Sequence, residues 1–88
     1  MKNKVLILLN VPSLANQYDL YIPVNERMDK IIHLLLMGLK DLTEYNFFED
    51  SKNYVLINSV TGKVYGNNDI VRDTDIRNGS KLILISNQ

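Results

Sequence analysis

Asp69, Asp73 and Asp75, the lone histidine His33 and the hydroxyl of Ser59 are the side chains of this sequence with the best claim to chemistry. Alternating carboxylates open a calcium loop, which needs oxygen ligands at its first, third and fifth positions, a glycine at its sixth and a glutamate at its end. Counted from Asp73, Arg77 takes the fifth position, Gly79 comes one place late and no glutamate follows. Arg72 and Arg77 interleave the acids, so the stretch reads as ion pairs on a solvated turn. His33 has no second imidazole and no thiol with which to complete a metal site. A Ser59–His33–Asp73 relay lacks both a nucleophile elbow and a glycine-rich oxyanion loop. Gly38, Gly62, Gly66 and Gly79 are too scattered to cradle a phosphate. The expectation is a chain that is not an enzyme and has no catalytic residues, metal or cofactor.

The elements that would position these side chains can be read from hydropathy. Val5 to Leu9 is a continuous apolar run closed by Asn10 and Pro12-Ser13, the pattern of a strand buried on both faces. Tyr18 to Pro23 is a second, β-rich segment, close enough to form a hairpin with the first through a connection over Pro12 to Gln17. Asn25 is placed to cap a helix from about Glu26 to Lys40, with Glu26 and Lys30 as an i,i+4 pair. Met28, Ile31, Ile32, Leu35 and Leu39 recur on one helical face and should be buried. Leu34, Met37 and His33 fall off that stripe. For Leu34 and Met37 a covering loop and a partner surface are the two readings.

Beyond the helix, Tyr45, Phe47 and Phe48 are available to pin a loop over one end of the core. Tyr54 to Asn58 is the next strand, Thr61-Gly62 a tight turn, and Lys63-Val64-Tyr65 a short strand. The charged stretch from Asp69 to Gly79 has Ile70, Val71 and Ile76 as its aliphatic anchors, and Asn78-Gly79 turns the chain into Leu82 to Ile85. The first and last strands are apolar at consecutive positions, which places them side by side in the middle of a mixed sheet under one helix. The expected fold is therefore α+β, a β-grasp with a mixed sheet of four to five strands and one helix across one face, filling residues 1–88 as a single domain. A ferredoxin-like sandwich is the alternative, but the stretch from Gly66 to Gly79 lacks the period of a second helix.

Composition narrows the function classes. With 88 residues the chain has room for one core. It has no cysteine, which excludes disulfides, thiol nucleophiles and zinc fingers. Ten basic and ten acidic residues cancel, so the broad positive field of a nucleic-acid binder is missing. The apolar run Val5 to Leu9 is shorter than a signal-peptide core, and Ile31 to Leu39 falls far short of the roughly 20 residues of a membrane span. A cytoplasmic protein without direct membrane insertion is expected.

What the chain has in surplus is aliphatic side chains. If Leu82 and Leu84 face the helix, Ile83 and Ile85 must face the other side of the sheet, joined by alternate residues of Val5 to Leu9. One helix cannot cover both faces. The exposed face is the expected docking surface for a protein partner, with Ile83 and Ile85 at its centre, Lys63, Arg72 and Lys81 as rim charges, and Leu34 and Met37 as a further patch.

The closing segment Asn68-Asp69-Ile70-Val71 through Asp75-Ile76-Arg77-Asn78-Gly79 into the apolar final strand, together with the helix entered through Ile22-Pro23-Val24-Asn25, resembles the ubiquitin-like superfamily from Lys4 to Ile85. Within it, Asp19-Leu20-Tyr21-Ile22-Pro23 is similar to the second strand of the small YukD/EsaB-like proteins of type VII (WXG100, ESX-like) secretion systems of Gram-positive bacteria. That resemblance implies a cytoplasmic accessory or regulatory role, with a membrane-anchored secretion component as partner. Conjugated relatives and sulfur carriers end in a flexible Gly-Gly, whereas this sequence ends Ser86-Asn87-Gln88, so the resemblance implies no conjugation. A modifier or sulfur carrier acting through its C-terminus, and a structural homo-oligomer, are the alternative functions.

Overall fold

The computed structural model describes residues 3–43 and 51–86. Strand β1 (Lys4–Val11) passes through a single 3-10 turn, Pro12–Leu14, into β2 (Asn16–Pro23), with Ala15 reversing the chain in a left-handed conformation. Helix α1 (Met28–Thr43) follows, then β3 (Tyr54–Asn58) and, after a long irregular stretch, β4 (Ser80–Ser86). The sheet order is β2-β1-β4-β3, with β1 and β4 parallel and the two outer pairs antiparallel. The two strands read as apolar on both faces are thus the central pair, as their sequences require. The result is the expected β-grasp, a mixed sheet with one helix across it.

The pleat assigns alternate residues to the two faces. Ile7, Leu9, Val11, Ile22, Leu56, Leu82 and Leu84 turn toward α1 and are buried. From the helix, Met28, Ile31, Ile32, Leu35 and Leu39 meet them as the periodicity predicts, and Leu36 widens the stripe. Leu34 and Met37 remain 42% and 52% exposed, and His33 is exposed.

The helix starts later than expected, and for a physical reason. Its first amide groups, on Met28 and Asp29, donate to the carbonyls of Asp69 and Asn67 at 2.7 and 3.1 Å. Backbone from a distant loop therefore does the capping assigned to Asn25, whose Oδ1 instead accepts from Arg72 Nη1 at 3.1 Å. Glu26 lies before the helix, so it makes no helical pair with Lys30, and the ion pair at this end is Arg27–Asp29 at 2.8 Å. Lys63-Val64-Tyr65 is not a strand but a single bridge, Val64 against Ile57. Tyr45, Phe47 and Phe48 lie outside the described residues.

The stretch between β3 and β4 is held by burial rather than by regular structure. Val71 and Ile76 are 0% and 1% exposed, and Thr74 Oγ1 donates to the Val71 carbonyl while accepting from the Ile76 amide. Arg72 N–H donates to Val24 and Val71 N–H to Glu26, which ties this segment to the chain between β2 and α1. Gly79 then turns the chain into β4 at φ +87°, a conformation costly for any residue with a Cβ.

Candidate protein-docking surface

The side of the sheet away from α1 carries Leu6 and Leu8 from β1, Ile83 and Ile85 from β4, and Val55 and Ile57 from β3, all partly exposed. Register brings them together. Ile83 pairs with Ile57 and Ile85 with Val55 across the β3–β4 ladder, and paired residues share a face. On the other side, Leu6 lies beside Tyr21, and Leu8 sits between Asp19 and Lys81. Val64, bridged to Ile57, extends the aliphatic area beyond β3 and is 55% exposed. A shallow depression of about 160 Å³, lined in part by Leu8, Gln17, Ser59 and Lys81, lies beside it.

The residues singled out from sequence divide between different parts of the molecule. Ile83, Ile85 and Lys81 share this face, and Lys81 holds its neighbourhood through its carbonyl, which accepts from the amide and the hydroxyl of Ser59 at 2.9 and 3.1 Å. Leu34 and Met37 stand on the helical layer, on the opposite side of the sheet. Lys63 places its Nζ 5.5 Å from the ring centroid of buried Tyr65, on the other side of its segment from Val64. Arg72 lies against the chain between β2 and α1, bonded to Asn25 and 3.8 Å from Asp73. Val55, Ile57, Tyr21 and Val64 were not singled out from sequence. Val55 and Ile57 were legible, since they alternate with buried Tyr54, Leu56 and Asn58.

Two of the acids weighed for chemistry are committed to loop structure, while His33 is exposed on the helix. Asp69 Oδ2 accepts from the Gly66 amide at 2.9 Å, and Asp75 Oδ1 accepts from the Tyr65 hydroxyl at 2.6 Å. Asn58 completes that arrangement, donating through Nδ2 to the Tyr65 oxygen while its Oδ1 accepts from the amides of Val60 and Thr61. Burial and the bond to Asp75 push the Tyr65 phenol up to about 12, against a smaller opposing effect of Asn58. This network braces the turn after β3.

No helix among the described residues is long and apolar enough to cross a membrane. No protein-family model and no curated protein matches the chain. Solved structures do. The N-terminal ubiquitin-like domain of the 4931431F19Rik protein superposes with a TM-score of 0.67 at 16% identity, over 98% of this chain and 77% of that one. A chain from a structure of molecular mimicry of SUMO that promotes DNA repair gives 0.66 at 19% identity, over 94% and 91%. A chain of the toluene 4-monooxygenase HD complex with the inhibitor 4-bromobenzoate gives 0.74 at 4% identity, over 94% and 98%. At these identities the likeness is one of fold, and the fold is the ubiquitin-like β-grasp.

Proposed function

We propose that this chain is a non-catalytic interaction module that docks a protein partner on the open face of its sheet, as a cytoplasmic accessory component of a bacterial type VII secretion apparatus. The observation that carries the docking reading is the aliphatic face formed by Leu6, Leu8, Val55, Ile57, Ile83 and Ile85, contributed by β1, β4 and β3 together. Contiguous apolar area on a small domain marks a protein contact, because water must otherwise solvate it at a cost of about 25 cal/mol per Å². Lys81 and Asp19 flank Leu8 with opposite charges and would fix the partner's register at the rim.

The secretion-system assignment is supported by the sequence resemblance of Asp19-Leu20-Tyr21-Ile22-Pro23 and of the segment from Asn68 to Ile85 to the YukD/EsaB-like proteins. A membrane-anchored secretion component with an apolar cytoplasmic surface is the partner this reading names. A photo-crosslinking residue placed at Ile83 in the producing cell tests it. The expected product is an adduct identified by mass spectrometry as such a component, with no adduct from the same residue at His33. Adducts confined to unrelated soluble proteins would overturn the secretion assignment, and equal labelling from both positions would overturn the docking face.

A further inference from the structure

Beyond the docking face, we propose that two copies of this chain associate edge to edge through β2, antiparallel about a two-fold axis at Leu20. The sheet has two edges, and they differ. On β3 the chain pairs with its own continuation, Asn58 N–H donating to Lys63 at 2.8 Å and Tyr65 N–H to Leu56 at 3.1 Å. On β2 no described segment pairs with the outer edge.

The hydrogen bonds around β1 settle which groups that edge offers. Val24 N–H donates to Asn3 in the β1–β2 register, while Leu6 turns its amide to Asn78 Oδ1 and its carbonyl to Gly79, on the β4 side. Antiparallel ladders alternate, so Asn16, Tyr18, Leu20 and Ile22 bond to β1, and Gln17, Asp19, Tyr21 and Pro23 point outward. The Gln17 amide already donates to Asn16 Oδ1 at 2.8 Å, and Pro23 has no N–H. Asp19 and Tyr21 are the outward amides that remain, spaced symmetrically about Leu20.

A second β2 matches this pattern in one register. With Asp19 opposite Tyr21 of the second copy, and the reverse, each free amide meets a carbonyl and the edges close with reciprocal bonds. Shifting the axis to Asp19 sets two carboxylates opposite one another, and shifting it to Tyr21 sets Asp19 against the donorless Pro23.

The side chains agree with this register. Leu20 would meet Leu20 of the second copy on the helical side, where a groove of about 360 Å³ runs between β2 and α1. Leu34, Gly38 and Leu42 line its helical wall, Leu42 is 66% exposed, and the open space at Gly38 admits close approach. That flank of α1 carries Lys30 near its start and Asp41 near its end, and the two-fold axis reverses one helix so that unlike charges face each other. Both docking faces stay open and side by side, so loss of pairing and loss of docking are separable.

Sedimentation equilibrium of the full chain up to millimolar concentration, with amide hydrogen exchange, tests the proposal. The expected result is a monomer–dimer equilibrium in which the Asp19 and Tyr21 amides slow as dimer accumulates. Tyr21→Pro, which removes an outward donor and no bond to β1, and Leu42→Lys, at an exposed position, should each weaken dimerisation by at least about tenfold. If Tyr21→Pro does not fold, Leu42→Lys decides. A wild-type chain that stays monomeric, leaving the edge for a strand of another protein, or a dimer whose Asp19 and Tyr21 amides exchange unslowed, would overturn it.

Discussion

Ile7, Leu9, Leu82 and Leu84 on one face of the sheet are at most 2% exposed, whereas Leu6, Leu8, Ile83 and Ile85, one residue along on the same strands, keep part of their surface in solvent. Composition does not distinguish the two sets. The pleat does, because a single helix supplies one apolar stripe and can cover one face. The covered set holds the fold together, and the partly exposed set is the surface proposed for docking. A chain with room for one core thus carries a second apolar surface without a second layer.

The buried face should be the more sensitive of the two. Leu84→Ala should lower unfolding free energy by about 2–5 kcal/mol, because the sheet and helix cannot close around the lost methyl groups. Ile85→Ala, one residue further and only partly exposed, should cost less, about 1–2 kcal/mol. Urea unfolding of the two variants side by side checks both. Equal losses would mean that the second face is also part of the core.

Next in size is the buried network beside β3. Tyr65→Phe should cost about 1–3 kcal/mol, since Asn58 Nδ2 loses its acceptor and Asp75 its donor. The same residue sets an alkaline limit. Folding raises its phenol to about 12 from the ordinary value of 10.0, so the folded chain holds this proton more tightly than the unfolded one. Its contribution is whole below the unfolded value and declines as pH rises through the folded one. Thermal unfolding between those values should show stability falling with pH, and Tyr65→Phe should flatten the fall. A smaller effect, about 1 kcal/mol, is expected for Gly79→Ala, whose φ of +87° strains any side chain where the chain enters β4.

Sequence made the central pair β1 and β4 legible, because Val5 to Leu9 and Leu82 to Ile85 are apolar without alternation. The core stripe of α1 was legible from its period, apart from Leu36. The sheet face away from α1 was half legible. Ile83 and Ile85 followed from alternation, but which third strand would lie beside them depends on sheet order, a long-range property that no local pattern encodes. Asn25 misled for a similar reason. A good capping residue was outcompeted by carbonyls from Asn67 and Asp69, some forty positions away, brought in by burial of Val71. Lys63 to Tyr65 has strand composition yet pairs at Val64 alone, since Tyr65 must turn inward to meet Asn58 and Asp75.

The contrast between the faces is tested most directly by the double variant Ile83→Asp, Ile85→Asp, with unfolding free energy and crosslinking to the secretion component through a photo-reactive residue at Leu8 measured on the same protein. The expected result is a folded domain with a wild-type circular dichroism spectrum, a stability loss smaller than that of the same changes at Leu82 and Leu84, and no adduct. A chain that unfolds would contradict the division between a structural and an available face. A folded chain that still forms the adduct would contradict the docking surface.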